Sequence, residues 1–323
     1  MQKNYRKWSL MPLLFFTLFF ANNSAFAEQT SVVPLGQSIQ IDLQYGSVYV
    51  SSDVLLSDDE WLRTGDSIHL VNNQPVTNLI DVKSHIKDST QIIIQYAHKK
   101  EKYTKSITPN QMVKLLPFLK DATEGIGTLT YFDPITKEFG ALGHQIVDQQ
   151  SGITPSFSEG SIYLSSIEQI KKSTPGKPGY KITSHTSNTL PIGGVNENNV
   201  YGVFGKLDNS ALENISMQQV EIVDPEEIVT GKAVMRTSID GKKVQDFSIE
   251  ISSVEGHIFQ FTVTDKKLIE KTGGILQGMS GSPIMQQDKL IGVVTHMYVD
   301  KPENGAALAI TEMMKKNPKI KKG

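Results

Sequence analysis

The chain is expected to be mainly β, a small mixed α+β domain followed by a larger domain built from strands. Three observations carry this expectation. From Gly125 onward, short strand-like runs are broken by turn signals at Asp133-Pro134, Ser151-Gly152, Pro175-Gly176-Lys177-Pro178-Gly179, Gly193-Gly194, Asp240-Gly241 and Gly273-Gly274, the regular spacing of a barrel or sandwich. Long helical periodicities are scarce there. Ahead of that stretch, about 75 residues alternate strand-like runs with one helical segment, which describes a small mixed domain. A length of 323 residues fits about two such domains.

Residues 1–27 have the layout of an export signal: Lys3, Arg6 and Lys7, an apolar run from Leu10 to Phe20, then Ala25-Phe26-Ala27 as a cleavage site. The run is interrupted by Pro12 and falls short of the ~20 apolar residues of a spanning helix. Cleavage after Ala27 and export across the cytoplasmic membrane are expected, with retention as a membrane tether the alternative. The chain contains no cysteine, which excludes disulfides, a thiol nucleophile and thiolate metal sites. Its 32 basic and 34 acidic residues make no electrostatic case for a nucleic-acid partner. Lys315, Lys316, Lys319, Lys321 and Lys322 cluster at the end, as a solvated tail or as a contact with an anionic membrane surface.

Residues 31–105 hold strand-like runs at 38–43, 47–50, 67–71 and 90–96, with a helical segment at 78–87 that places Leu79, Val82 and Ile86 on one face. Pro34-Leu35-Gly36-Gln37-Ser38-Ile39, Tyr45-Gly46-Ser47-Val48, and Thr64-Gly65-Asp66-Ser67-Ile68 leading to Val71-Asn72-Asn73-Gln74-Pro75-Val76 resemble a PDZ domain. In such domains a glycine-containing loop offers N–H groups to a peptide's terminal carboxylate. Tyr45, Gly46, Ser47 and Val48 would be that loop, although they depart from the usual Gly-Leu-Gly-Phe. A charged run at 99–105, then Pro109 and Pro117 around 111–116, place a linker at 106–118 and the second domain at 119–323.

The densest chemical signal is Thr272-Gly273-Gly274-Ile275-Leu276-Gln277-Gly278-Met279-Ser280-Gly281-Ser282-Pro283-Ile284, followed by the strand-like Lys289-Leu290-Ile291-Gly292-Val293-Val294-Thr295. Glycine permits positive φ and close approach to the main chain, so Ser280 between Gly278 and Gly281 can expose its hydroxyl beside inward-pointing N–H groups. The bland alternative is a Gly/Ser surface turn. An α/β-hydrolase elbow is excluded because Ser282 stands where its last glycine belongs. Ser282 itself precedes Pro283, which biases it to extended backbone and away from a nucleophile's tip.

Gly278, Ser280, Gly281 and Pro283 match the G-x-S-G-x-P pattern of chymotrypsin-like serine proteases. Together with Gly140-Ala141-Leu142-Gly143-His144 and Gly125-Ile126-Gly127-Thr128-Leu129-Thr130-Tyr131-Phe132-Asp133-Pro134, the stretch resembles the SpoIVB peptidase family, over roughly residues 118–312. The resemblance implies a chymotrypsin-like pair of β-barrels and an exported serine endopeptidase. It also implies His144 as base, Asp265 as the acid orienting it and Ser280 as nucleophile, with the N–H groups of Gly278 and Ser280 as oxyanion hole. Asp265 lies nearer the serine than the acid of chymotrypsin-like enzymes, and an N-cap role before Lys266–Lys271 is its alternative; Asp148 is a second candidate. Val294, Thr295 and His296 would line the substrate cleft, or form an ordinary buried strand, and His296 rivals His144 as base. No cofactor is implied, and no H-E-x-x-H motif is present to bind a metal.

The same resemblance implies self-cleavage, residence between mother cell and forespore, and cleavage of a membrane-associated regulator of an intramembrane protease, releasing processing of a late mother-cell sigma factor. Two alternatives compete. A catalytically silent binding or regulatory protein would use the PDZ-like domain alone. A Ser–Lys hydrolase would need a buried lysine of lowered pKa beside Ser280; Lys271 and Lys289 are nearest in sequence, both in polar company.

Overall fold

The computed structural model describes residues 31–57, 59–184, 190–212, 216–315 and 317. The export signal expected at 1–27 and the basic residues beyond Lys315 lie outside them.

The chain begins with β1 (Ser31–Pro34) and the long β2 (Ser38–Val50), then builds a module of β3 (Val54–Ser57), β4 (Glu60–Leu62), β5 (Ser67–Val71), β6 (Gln74–Pro75), α1 (Leu79–His85), β7 (Ile92–His98), β8 (Glu101–Ile107) and α2 (Pro109–Leu115). It returns through β9 (Leu119–Phe132), β10 (Glu138–Ala141), β11 (Glu159–Leu164), the hairpin β12 (Ser166–Lys171) and β13 (Gly179–Ser184), β14 (Gly193–Asn199) and β15 (Gly202–Leu207). After α3 (Asn209–Leu212) and β16 (Val220–Glu221) come β17 (Gly231–Ser238), β18 (Val244–Glu255), β19 (Ile258–Val263), α4 (Lys266–Thr272), β20 (Leu276–Gln277), β21 (Pro283–Gln286), β22 (Lys289–Tyr298), β23 (Lys301–Ala309) and α5 (Ile310–Lys315).

Strand pairing closes two six-stranded barrels. The first runs β2-β9-β10-β15-β14-β11 and returns to β2. The second runs β17-β18-β19-β23-β22-β21 and returns to β17. Numbered within each barrel, both follow the order 1-2-3-6-5-4, so the fold is a chymotrypsin-like double barrel. Alternation dictates each interior: on β18, Phe247, Ile249 and Ile251 point inward while their neighbours face water. Ile39, Ile41, Phe139, Ile162 and Val203 help fill the first barrel; Met235, Phe259, Phe261, Ile284 and Ile291 help fill the second. Tyr131, Phe204, Val293, Leu308, Met313 and Met314 form the apolar seam between barrels, with α5 closing it.

The expected domain boundaries change in two ways. Residues 31–44 do not belong to the small domain, because β2 pairs with β9 and β11 as the first barrel's opening strand. The small module is therefore an insertion between the first and second strands of that barrel. Residues 106–118 are not a bare linker either: Thr108 and Gln111 form a capping box ahead of α2, with Pro109 in its first turn, and Met112 and Leu115 are buried in the module's core.

Candidate active site

Each barrel contributes one group from its crossing between strands 3 and 4. In the second barrel Ser280 lies just before β21; in the first, His144 lies just after β10. The Ser280 turn is held from both sides. Thr128 on β9 donates its N–H to the Ser280 carbonyl at 2.9 Å and its hydroxyl to the Gly278 carbonyl at 2.9 Å, and the Thr130 hydroxyl donates to the Gly281 carbonyl at 2.8 Å. On β22, the Val294 carbonyl accepts from Gly281 N–H at 2.8 Å and Val294 N–H donates to the Ser282 carbonyl at 3.0 Å. Gly281 adopts φ +93, and a Cβ there would collide with the Thr128 carbonyl and the Leu142 main chain. Only glycine lets the turn press so closely on the first barrel.

Before His144, Leu142 and Gly143 both take left-handed backbone, φ +68 and +70, an uncommon conformation for leucine that costs of order 1–3 kcal/mol. The His144 ring then lies 6.1 Å, centroid to centroid, from that of His296. His144 Nδ1 is 2.8 Å from the Gln145 carbonyl oxygen. A carbonyl only accepts, so Nδ1 carries the hydrogen and Nε2 keeps its lone pair, the tautomer a general base requires. Burial pulls the imidazole below its ordinary value; the Gln145 carbonyl opposes this and His296 adds to it. The Ser280 hydroxyl donates to the Thr295 carbonyl at 3.2 Å, and no hydrogen bond joins it to His144 among the described residues.

Asp265 is not brought to His144. Its carboxylate accepts Leu268 N–H at 2.9 Å and caps α4, the alternative role open to it in the sequence. Asp148 is also engaged elsewhere, accepting from the N–H and hydroxyl of Ser151 at 2.8 and 2.7 Å. Among the described residues, no carboxylate hydrogen-bonds His144. Ser282 is fully buried, with its hydroxyl 3.5 Å from that of Thr128.

The residues expected to line the cleft divide. Val294 is buried in the second barrel's core and its main chain is occupied by the Ser280 turn, so it does not line a cleft. Thr295 offers its carbonyl to Ser280, and its hydroxyl lies 2.9 Å from Nδ1 of the exposed His296. The expected peptide loop is not a loop. Tyr45, Gly46, Ser47 and Val48 lie inside β2, as a bulge between the Gln44–Ala122 and Tyr49–Lys120 pairs of the β2/β9 ladder. Tyr45 and Val48 are buried, and Gly46 at φ +68 makes the kink.

One residue escaped the sequence reading. Lys181 on β13 is 3 % exposed and its ammonium lies 3.3 Å from the Thr237 hydroxyl. Its stem packs on Gly278, where an added Cβ would lie 3.3 Å from Lys181 Cδ. The cause is topological: β13 pairs in parallel with β20, immediately before the Ser280 turn. Burial alone pulls the amine down to about 7. The signal in the sequence is Tyr180-Lys181-Ile182, a lysine flanked by two apolar residues that both face outward. Among the described residues, no group of three or more His, Asp or Glu could hold a metal ion.

A double barrel that sets a glycine-flanked serine from one half against a histidine from the other defines the chymotrypsin-like serine endopeptidases. The family model described as SpoIVB peptidase S55 matches residues 111–314, more than half of the chain, and the chain belongs to that family. The match starts inside α2 and so omits β2, the barrel's opening strand.

Among solved structures, the chain is similar to Rv3671c protease in its inactive form, at 14 % identity over 61 % of this chain and 84 % of that one, TM-score 0.36. It is similar to the active form of the same protease from M. tuberculosis at 12 % identity, covering 60 % and 73 %, TM-score 0.33. A Glu endopeptidase in complex with MPD shares 13 % identity, covering 59 % and 84 %, TM-score 0.36. No curated protein matches the chain.

Proposed function

We propose that the protein is an exported serine endopeptidase in which Ser280 attacks a peptide carbonyl and His144 takes the serine proton, then returns it to the leaving amine. The N–H groups of Gly278 and Ser280 serve the developing oxyanion. Water then attacks the acyl-enzyme with His144 again as base. The observation carrying this reading is the convergence of the Ser280 turn and the His144 turn, one wedged against the other through Gly281 and Leu142. For the chemistry to begin, the Ser280 hydroxyl turns from the Thr295 carbonyl to His144 Nε2.

Membership of the SpoIVB family supports the finer reading: self-cleavage, action between mother cell and forespore, and a membrane-associated regulator of an intramembrane protease as protein substrate. The layout of residues 1–27 supports export. The test compares residues 28–323 with the Ser280→Ala form, following self-cleavage by mass spectrometry and labelling by a fluorophosphonate. Loss of both signals in the variant is expected. Equal cleavage by the two proteins would remove Ser280 as nucleophile, and silence in both would favour the binding-protein alternative.

One observation favours a second mechanism: Lys181 is the buried, proton-shedding lysine beside the nucleophile turn that a Ser–Lys hydrolase needs. Against it, the ammonium is paired with Thr237. Labelling that survives His144→Ala and vanishes in Lys181→Met would establish the lysine as base.

A further inference from the structure

The histidine has an orienting partner, and that partner is a peptide unit. The carbonyl that accepts His144 Nδ1–H belongs to Gln145, and the N–H of the same Gln145–Ile146 peptide donates to Asn198 Oδ1 at 2.8 Å. Asn198 also donates through Nδ2 to the Ile146 carbonyl at 2.9 Å. One bond needs an acceptor and the other a donor, so the amide can be placed only one way. Asn198 sits near the end of β14 and belongs to the barrel wall, opposite Val203 on β15. A wall residue thus clamps the loop that follows His144.

From these distances we infer that Asn198 is the positioning residue for the catalytic histidine, acting through the Gln145–Ile146 peptide in place of a directly bonded carboxylate. This rests on His144 being the base. A peptide whose N–H is hydrogen-bonded becomes a better acceptor at its carbonyl, because the two bonds polarise the same group. The clamp therefore fixes the plane of the imidazole and its tautomer, and strengthens the bond that stabilises the imidazolium formed when Ser280 gives up its proton. The ionisable side chain that bears on His144 is His296 on β22; no aspartate or glutamate does so among the described residues.

The test uses residues 28–323 and reads both rate and titration. In Asn198→Ala the fluorophosphonate labelling rate is expected to fall about tenfold, the rate equivalent of one hydrogen bond, and the acid limb of its pH profile to move to lower pH. Histidine-selective ¹⁵N NMR, with His144→Ala assigning the resonance, should show the His144 titration moving down in Asn198→Ala and up in Asn198→Asp, whose carboxylate still accepts the Ile146 N–H. The NMR reading needs no activity, so it holds for a latent enzyme; Asn198→Asp, nearly the same shape, serves if Asn198→Ala does not fold. A His144 titration that neither variant moves overturns the inference. So does a labelling rate unchanged in folded Asn198→Ala. If labelling survives His144→Ala, the base assignment fails, and the titrations still report whether the clamp exists.

Discussion

The first barrel interrupts its own strand sequence three times, for the module between β2 and β9, for the His144 loop, and for the β12/β13 hairpin between β11 and β14. The second interrupts its sequence chiefly once, at 264–282, and that excursion carries Ser280. Their supports differ accordingly. The Ser280 turn is gripped by main-chain and threonine hydrogen bonds from both barrels. The His144 ring is hydrogen-bonded to a single peptide, whose N–H in turn donates to Asn198. Ser280 thus sits on a turn held at several points from both barrels, and the His144 ring on one whose hydrogen bonding is sparser.

The largest effect is expected where the Ser280 turn presses on the first barrel. Gly281→Ala forces a side chain into the Thr128 carbonyl at a φ that alanine resists, costing more than the roughly 1–3 kcal/mol of backbone strain alone. Gly241→Ala, also at positive φ but in open space, costs only the strain. Thermal melts of the two variants, with fluorophosphonate labelling, check this: labelling should vanish for Gly281→Ala, and equal melting losses would show the wedge to be soft.

A smaller change, of opposite sign, is expected at the hairpin. Between pH 7 and 10.5 the unfolded Lys181 is protonated while the folded amine, held down to about 7, is not. The unfolded state then binds more protons, so stability rises with pH across that window. Lys181→Met should raise the melting temperature at pH 7 and remove that rise. An unchanged slope in the variant would show that the amine is accommodated as a cation.

The smallest effect belongs to Asp265→Ala. Loss of the α4 cap should cost ~1 kcal/mol in denaturant titration and leave the labelling rate unaltered. A large fall in that rate would return Asp265 to the base.

Chemistry confined to neighbouring residues was legible in the sequence. The serine turn could be read because Gly278, Ser280, Gly281 and Pro283 report on one local conformation. His144 came through family resemblance, and its left-handed approach through Leu142 has no sequence signal, since leucine is held there only by the first barrel's core. The module's status as an insertion was hidden because β2 alternates through both bodies, with Ile39 and Ile41 facing one core and Val48 and Val50 the other. Thr108-Pro109-Asn110-Gln111 carried a capping signal, yet two prolines read more readily as a break. Asp265 was legible as a cap, and that role prevailed because Leu268 N–H lies within one turn. Lys181 and Asn198 owe their places to strand pairing across distant segments, which no local pattern reports.

Because the module is entered and left through adjacent paired strands, it is mounted like a blade on a two-pronged handle. One prong, β9, continues from Leu119, where it still pairs with Val50, to Thr128 and Thr130, which grip the Ser280 turn. Nine residue steps of extended chain make that prong about 30 Å long, its ladder with β2 interrupted opposite the bulge at 45–48. The strand that carries the chain out of the module is therefore the same strand whose far end holds the Ser280 turn.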